Sequence, residues 1–251
     1  MTSPSSEPRT RSLYHAAVIS PVTALALVLA AIATIYAIQV AAAAAGLPIL
    51  VGASASFAAP ALVIAAVARG RRRVFGLGRA APRFFLAAGL VGIALWYVNL
   101  QLVGWILPPP SHPPPLEPEL HAHALAPTLA ALAIMPAFAE ELIFRGVLAR
   151  ALAPRLGVAL AALVTAAAFS AYHIELLQLI PTFSLGLALA FIAIRANSAW
   201  PTMLAHALNN TAAIALARDG RAVAWIDGHQ LTMTASCLVV VAAGIAIAGL
   251  G

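Results

Sequence analysis

The chain carries too little charge for a water-facing surface. Only 9% of its 251 residues are Asp, Glu, Lys or Arg, against about 25% in soluble globular domains. Lysine is absent, and all 14 basic residues are arginine. The one cysteine, Cys237, lies in an apolar run. That excludes an internal disulfide framework and a cysteine-based metal site, and leaves Cys237 as a small packed residue. The two aspartates, Asp219 and Asp227, both fall in a polar stretch near the C-terminus, so no intramembrane aspartate pair is available. The H-E-x-x-H helix of zinc proteases is missing, and no serine occupies a G-x-S-x-G elbow. Ser184 precedes Leu185-Gly186, but in an apolar run without a histidine, so a serine–histidine dyad is a weak alternative.

What fills the chain instead is hydrocarbon: 63% of residues are hydrophobic and mean hydropathy is +0.96. These values describe an all-α, polytopic membrane protein, since helices satisfy their own backbone groups in lipid. Crossing the hydrocarbon core takes about 20 apolar residues. Runs of that kind fall near 16–42, 48–68, 84–107, 124–149, 157–174, 177–195, 199–217 and 231–250. The expectation is a single integral membrane domain over residues 1–251, with about eight transmembrane helices and the active site inside the bundle. The first run exceeds a signal-peptide core and reads as a retained helix. A formal charge of +6 does not indicate nucleic acid, because the arginines are dealt out between the apolar runs as membrane topology requires.

Arginine placement sets the orientation. Arg9 and Arg11 precede the first run, Arg69 to Arg83 fill the second loop, Arg145, Arg150 and Arg155 follow the glutamates of the fourth run, and Arg195 ends the sixth. With the N-terminus inside, only Arg218 and Arg221 remain outside, so both termini are expected to be cytoplasmic. The all-arginine, alanine-rich composition points to a bacterial coding sequence, and thus to a bacterial inner membrane. The segment 108–119 has seven prolines and no basic residue. It is expected outside, as an extended spacer or lid.

Polar side chains inside the apolar runs carry the chemistry. Glu140, Glu141 and Arg145 lie within six residues of Ala139-Glu140-Glu141-Leu142-Ile143-Phe144-Arg145. Charge at that depth costs about 2.5–3.5 kcal/mol per group on insertion scales, which makes it a functional-site hypothesis by default. Residues four apart share a helix face, so Glu141 and Arg145 are expected to pair as a structural ion pair. Glu140, about 100° round the helix, is left for catalysis. His173 follows Phe169 by four, which places an aromatic ring beneath the imidazole. His206 and Asn210 are again four apart and suit stabilisation of a developing oxyanion; Asn209 is expected to pack elsewhere. A base, a second titratable group and oxyanion donors on three helices describe water activation and peptide hydrolysis.

Glu140-Glu141-x-x-x-Arg145, Phe169-x-x-x-His173 and His206-x-x-x-Asn210, in this order, resemble the three motifs of the CPBP family. This family comprises CAAX proteases and bacteriocin-processing enzymes, also called ABI or type II CAAX prenyl endopeptidases. The resemblance extends through Phe144-Arg145-Gly146, Pro181-Thr182-Phe183-x-x-Gly186 and Ser198-Ala199-Trp200-Pro201, and covers a core of about 124–217. It implies a glutamate-type intramembrane endopeptidase without a cofactor. The residue aligned with Glu140 would activate water with help from the one aligned with His173, and those aligned with His206 and Asn210 would hold the oxyanion. Glu141, Arg145 and Phe169 would support them. The implied partners are the bilayer and a membrane-associated protein or peptide, and some bacterial relatives act in C-terminal sorting, as in the myxosortase group. Two other classes use the same residues. One is a zinc-dependent membrane protease with Glu140, His173 and His206 as ligands. The other is a proton-coupled transporter, which expects repeated halves with broken helices that the sequence does not show.

Overall fold

The computed structural model describes residues 19–108 and 117–250, and among them all regular structure is helical. Helix α1 (Pro21–Ala44) starts on Ser20, whose side chain accepts from the Thr23 amide at 3.1 Å, with Pro21 in the first turn where its missing N–H costs nothing. Helices α2 (Ile49–Val67) and α3 (Pro82–Ile106) follow. The short α4 (Glu117–Ala122) precedes a long helical run from Leu125 to His173, interrupted at Gly157. That path contains α5 (Leu125–Leu129), α6 (Met135–Glu141) and α7 (Arg150–His173), joined by wide π-type stretches at Ala130–Ile134 and Leu142–Ala149. The first wide turn comes just before Pro136, whose ring removes one backbone donor; the Met135 amide reaches back to the Ala130 carbonyl instead. Helices α8 (Leu176–Ala196), α9 (Trp200–Ala217), α10 (Gly220–Asp227) and α11 (Gln230–Gly249) complete the chain.

An all-α, polytopic membrane protein is what the structure shows, with six helices among the described residues long and apolar enough to cross a bilayer. Two of the eight expected spans do not count separately on that measure. Leu125–His173 is one 49-residue run, although Gly157, at φ 74° and ψ 172°, breaks it in the middle of α7. Helix α9 is not among the six, because Thr202, His206, Asn209 and Asn210 dilute its apolar content. The stretch Asp219–Asp227, expected as a polar loop, forms α10 instead. Asp219 caps it by accepting from the amides of Arg221 and Ala222. The proline-rich segment and the N-terminal arginines lie outside the described residues, apart from Pro108 and the residues of α4.

Large apolar side chains point outward as well as inward. Leu62, Val239 and Leu231 are 69%, 69% and 86% exposed, the pattern of a lipid-facing surface. Inside, two apolar clusters form the frame. One joins α1, α2 and the Leu142–Ala149 stretch to Phe169 and Tyr172; the other joins α3, α8, α9 and α11.

Hydrogen bonds gather the helix ends at two opposite poles. At the first, Arg150 donates to the Arg73 carbonyl at 2.6 Å and to Asn197, Ser198 donates to the Gly78 carbonyl at 2.8 Å, and Arg195 donates to the Gly249 carbonyl at 3.0 Å. At the second, Arg218 donates to the carbonyls of Leu120 and His123. Helices α1, α3 and α9 end at this second pole, and α2, α8 and α11 begin there.

Candidate active site

The Glu141–Arg145 pair forms as the spacing requires, despite the wide turns between them: Nη1 to Oε1 is 2.8 Å and both side chains are fully buried. Arg145 also donates to the Gly186 carbonyl on α8 at 3.2 Å, and its guanidinium lies 4.3 Å from the centroid of the Phe169 ring. Three helices are thereby tied to one cation. Glu141 Oε2 and Arg145 Nε have no hydrogen-bond partner among the described residues, so this network holds two orphaned polar atoms in the core.

Glu141 does more than neutralise the arginine. The same Oε1 lies 3.0 Å from His206 Nδ1, while His206 Nε2 is 3.8 Å from Glu140 Oε2. The imidazole therefore bridges the two glutamates. A carboxylate accepts, so Nδ1 carries the proton and the ring orientation is fixed, as a buried carboxylate does for a catalytic histidine. His206 can then donate through Nε2 only when it holds a second proton. Sequence spacing had paired His206 with Asn210; the structure adds Glu141 as its closest polar partner.

Glu140 is buried, at 4% exposure, yet lines a cavity of about 1160 Å³. His173, His206, Asn209 and Asn210 line the same cavity. His173 sits on the last turn of α7 with Nδ1 2.8 Å from the Phe169 carbonyl. A carbonyl can only accept, so Nδ1 bears the proton and Nε2 is the basic nitrogen. Phe169 packs edge-on against both imidazoles, with centroids 4.8 Å from His173 and 5.8 Å from His206. It spaces the two histidines and shields the arginine beneath them.

The chain reverses sharply after His173: Ile174 adopts a left-handed conformation at φ 62° and α8 begins at Leu176. This turn keeps the histidine at the cavity rim. Asn209 does not pack elsewhere. It lines the cavity, and its amide donates to Asn210 Oδ1 at 3.3 Å, which leaves the Asn210 amide nitrogen for another acceptor. Ser184 donates to Asn99 and to the Pro181 carbonyl at 3.1 Å, so its hydroxyl serves helix packing.

Tyr172 and Tyr36 are site residues that motif spacing did not single out. Tyr172 lines the same cavity as Glu140. Tyr36 on α1 donates to the Tyr172 carbonyl at 2.6 Å, with the two rings 5.9 Å apart. The signal for Tyr172 was its place beside His173; Tyr36 gave only a lone phenol in an apolar helix. No group of three His, Cys, Asp or Glu side chains among the described residues is disposed to hold a metal ion. Glu140, His173 and His206 thus share a cavity without converging on one point.

Residues 122–212 match the family model described as Rce1-like, type II CAAX prenyl endopeptidase Rce1-like. The matched segment contains Glu140, Glu141, Arg145, Phe169, His173, His206 and Asn210, and the match is consistent with the CPBP family. No curated protein and no solved structure matched the chain.

Proposed function

From that family relation we propose that the chain is a glutamate-type intramembrane endopeptidase, cutting a peptide bond in a membrane-anchored protein near its membrane-proximal or C-terminal segment. The observation that carries this reading is the convergence of Glu140, His173, His206 and Asn210, from three helical segments, on one cavity inside an apolar bundle. Glu140 takes the proton of a water molecule held in the cavity. His173, basic at Nε2, relays or returns that proton to the leaving amine. As the carbonyl becomes tetrahedral, the Asn210 amide donates to the developing oxyanion, joined by Nε2 of His206 in its doubly protonated form, whose Nδ1 proton stays directed at Glu141. Glu141 and Arg145 hold His206 in place and keep the charge around it balanced. The cavity walls are mostly alkyl and aromatic, which suits an apolar segment of substrate. We place the protein in a bacterial inner membrane, in the branch that sorts or matures surface proteins.

The comparison of terminal peptides between cells carrying the wild-type protein and cells carrying Glu140→Gln tests this reading. A defined set of membrane proteins should keep a segment in the variant that the wild type removes. Identical terminal peptides in the two strains would end the proteolytic reading. The same segments should still be removed by purified wild-type protein after prolonged chelation. Loss of cleavage on chelation, restored by added zinc, would favour a metalloprotease.

A further inference from the structure

The cavity opens at one pole of the bundle, and the two poles differ sharply in charge. Leu47 and Pro48 between α1 and α2, Glu175 between α7 and α8, Ala217 at the end of α9 and Val223 on α10 all line the cavity. Every one of them belongs to the pole where Arg218 reaches Leu120 and His123. The acidic residues outside the buried site whose side chains are described, Glu175, Asp219 and Asp227, are all in segments of this pole, with Arg218 and Arg221 as its described arginines. The opposite pole holds Arg69, Arg71, Arg72, Arg73, Arg79, Arg83, Arg150, Arg155 and Arg195, and none of the described acids. Arginine-rich connections stay on the cytoplasmic side during insertion, because moving them across the membrane opposes both desolvation cost and membrane potential.

We infer that the catalytic cavity opens to the extracytoplasmic face, so that the substrate is an exported polypeptide still held by an apolar anchor and cut at the outer end of that anchor. The cavity position comes from packing, and the charge asymmetry chiefly from the arginines of the opposite pole, none of which lines the cavity. A bond in a cytoplasmic tail would have to cross the arginine-bearing pole and the buried Glu141–Arg145 network to reach Glu140. The inference specifies the substrate of the proteolytic reading above and rests on it for the cut, while the direction of the opening stands without it.

Single cysteines in a Cys237→Ser background test the direction. Leu47→Cys and Val223→Cys place a thiol on two separate mouth segments, each partly exposed, and Arg71→Cys places one on the opposite pole. In spheroplasts, a membrane-impermeant maleimide should label both mouth positions to the same extent before and after permeabilisation, and Arg71→Cys only afterwards. The reverse pattern would overturn the inference. The segments retained in Glu140→Gln cells then test the substrate class: they should lie outside the membrane, next to an apolar helix. Retained segments on the cytoplasmic side would refute the substrate assignment. If labelling places the mouth outside while no protein retains a segment, the proteolytic reading fails and the orientation holds.

Discussion

At the residue scale the central assignment is that Glu140 works and Glu141 positions. Glu140→Gln keeps size and hydrogen bonding but removes the base, so turnover should fall by at least about 10²–10⁴-fold, with the protein still folded by thermal melt. Asn210→Ala should lower kcat by about 10²–10³-fold if its amide serves the oxyanion; a change confined to KM would make it a binding residue. Asn209→Ala should have a smaller effect of the same kind, because it removes the hydrogen bond that the Asn209 amide donates to Asn210 Oδ1 but leaves the Asn210 amide in place. For the buried pair, Glu141→Gln or Arg145→Gln alone should cost about 3–5 kcal/mol, since each strands an uncompensated charge. The double variant should recover part of that loss through their coupling, and strictly additive losses in denaturant titrations would show that the pair is not coupled. The i, i+4 contact of Glu141 with Arg145 was legible in the sequence because a helix dictates it. The bridge from Glu141 to His206 was not, because it spans 65 residues and depends on how α9 docks.

At the element scale, two glycines decide where the site helices go. Gly157 stands at φ 74° and ψ 172°, a region open in practice to glycine alone. It lets the glutamate-bearing helix end and the histidine-bearing half of α7 begin without a loop. Gly157→Ala should therefore destabilise by about 1–3 kcal/mol, read as a lowered melting temperature, and a neutral result would mean the break is not strained. Gly92 permits the close approach of α3 to α9: an added Cβ would lie 2.7 Å from Ala205 Cα, one residue before His206. Gly92→Val should push α9 outward and cut activity more than it cuts stability. The reversals of the chain were readable from hydrophobic run lengths, and most expected spans fall within a few residues of the observed helices. The wide turns around Pro136 and the helix α10 were not. The first needs an inserted residue whose register shift leaves no mark in a segment apolar on nearly every side; the second has its polar residues at caps, where composition reads as loop.

At the scale of the whole molecule, a membrane protein inverts the usual reading of exposure, and this made the site conspicuous. In an apolar bundle, every buried titratable side chain needs a reason. Glu140, Glu141, Arg145, His173 and His206 stood out before any contact was known. Their gathering around one cavity, and the side on which it opens, emerged only from packing: α1 supplies Tyr36, α9 supplies the asparagines, and α8 supplies the carbonyl that anchors Arg145. In the proposed function this cavity hydrolyses a peptide bond by means of Glu140. Its most direct test is reconstitution. Purified wild-type protein and the Glu140→Gln variant are placed in lipid vesicles with a precursor that accumulates in Glu140→Gln cells, and release of the trimmed product is timed by mass spectrometry. The wild type should trim the precursor at a single bond, and the variant should be slower by at least about 10²-fold. Equal trimming by the two proteins, at the same bond and rate, would contradict the account.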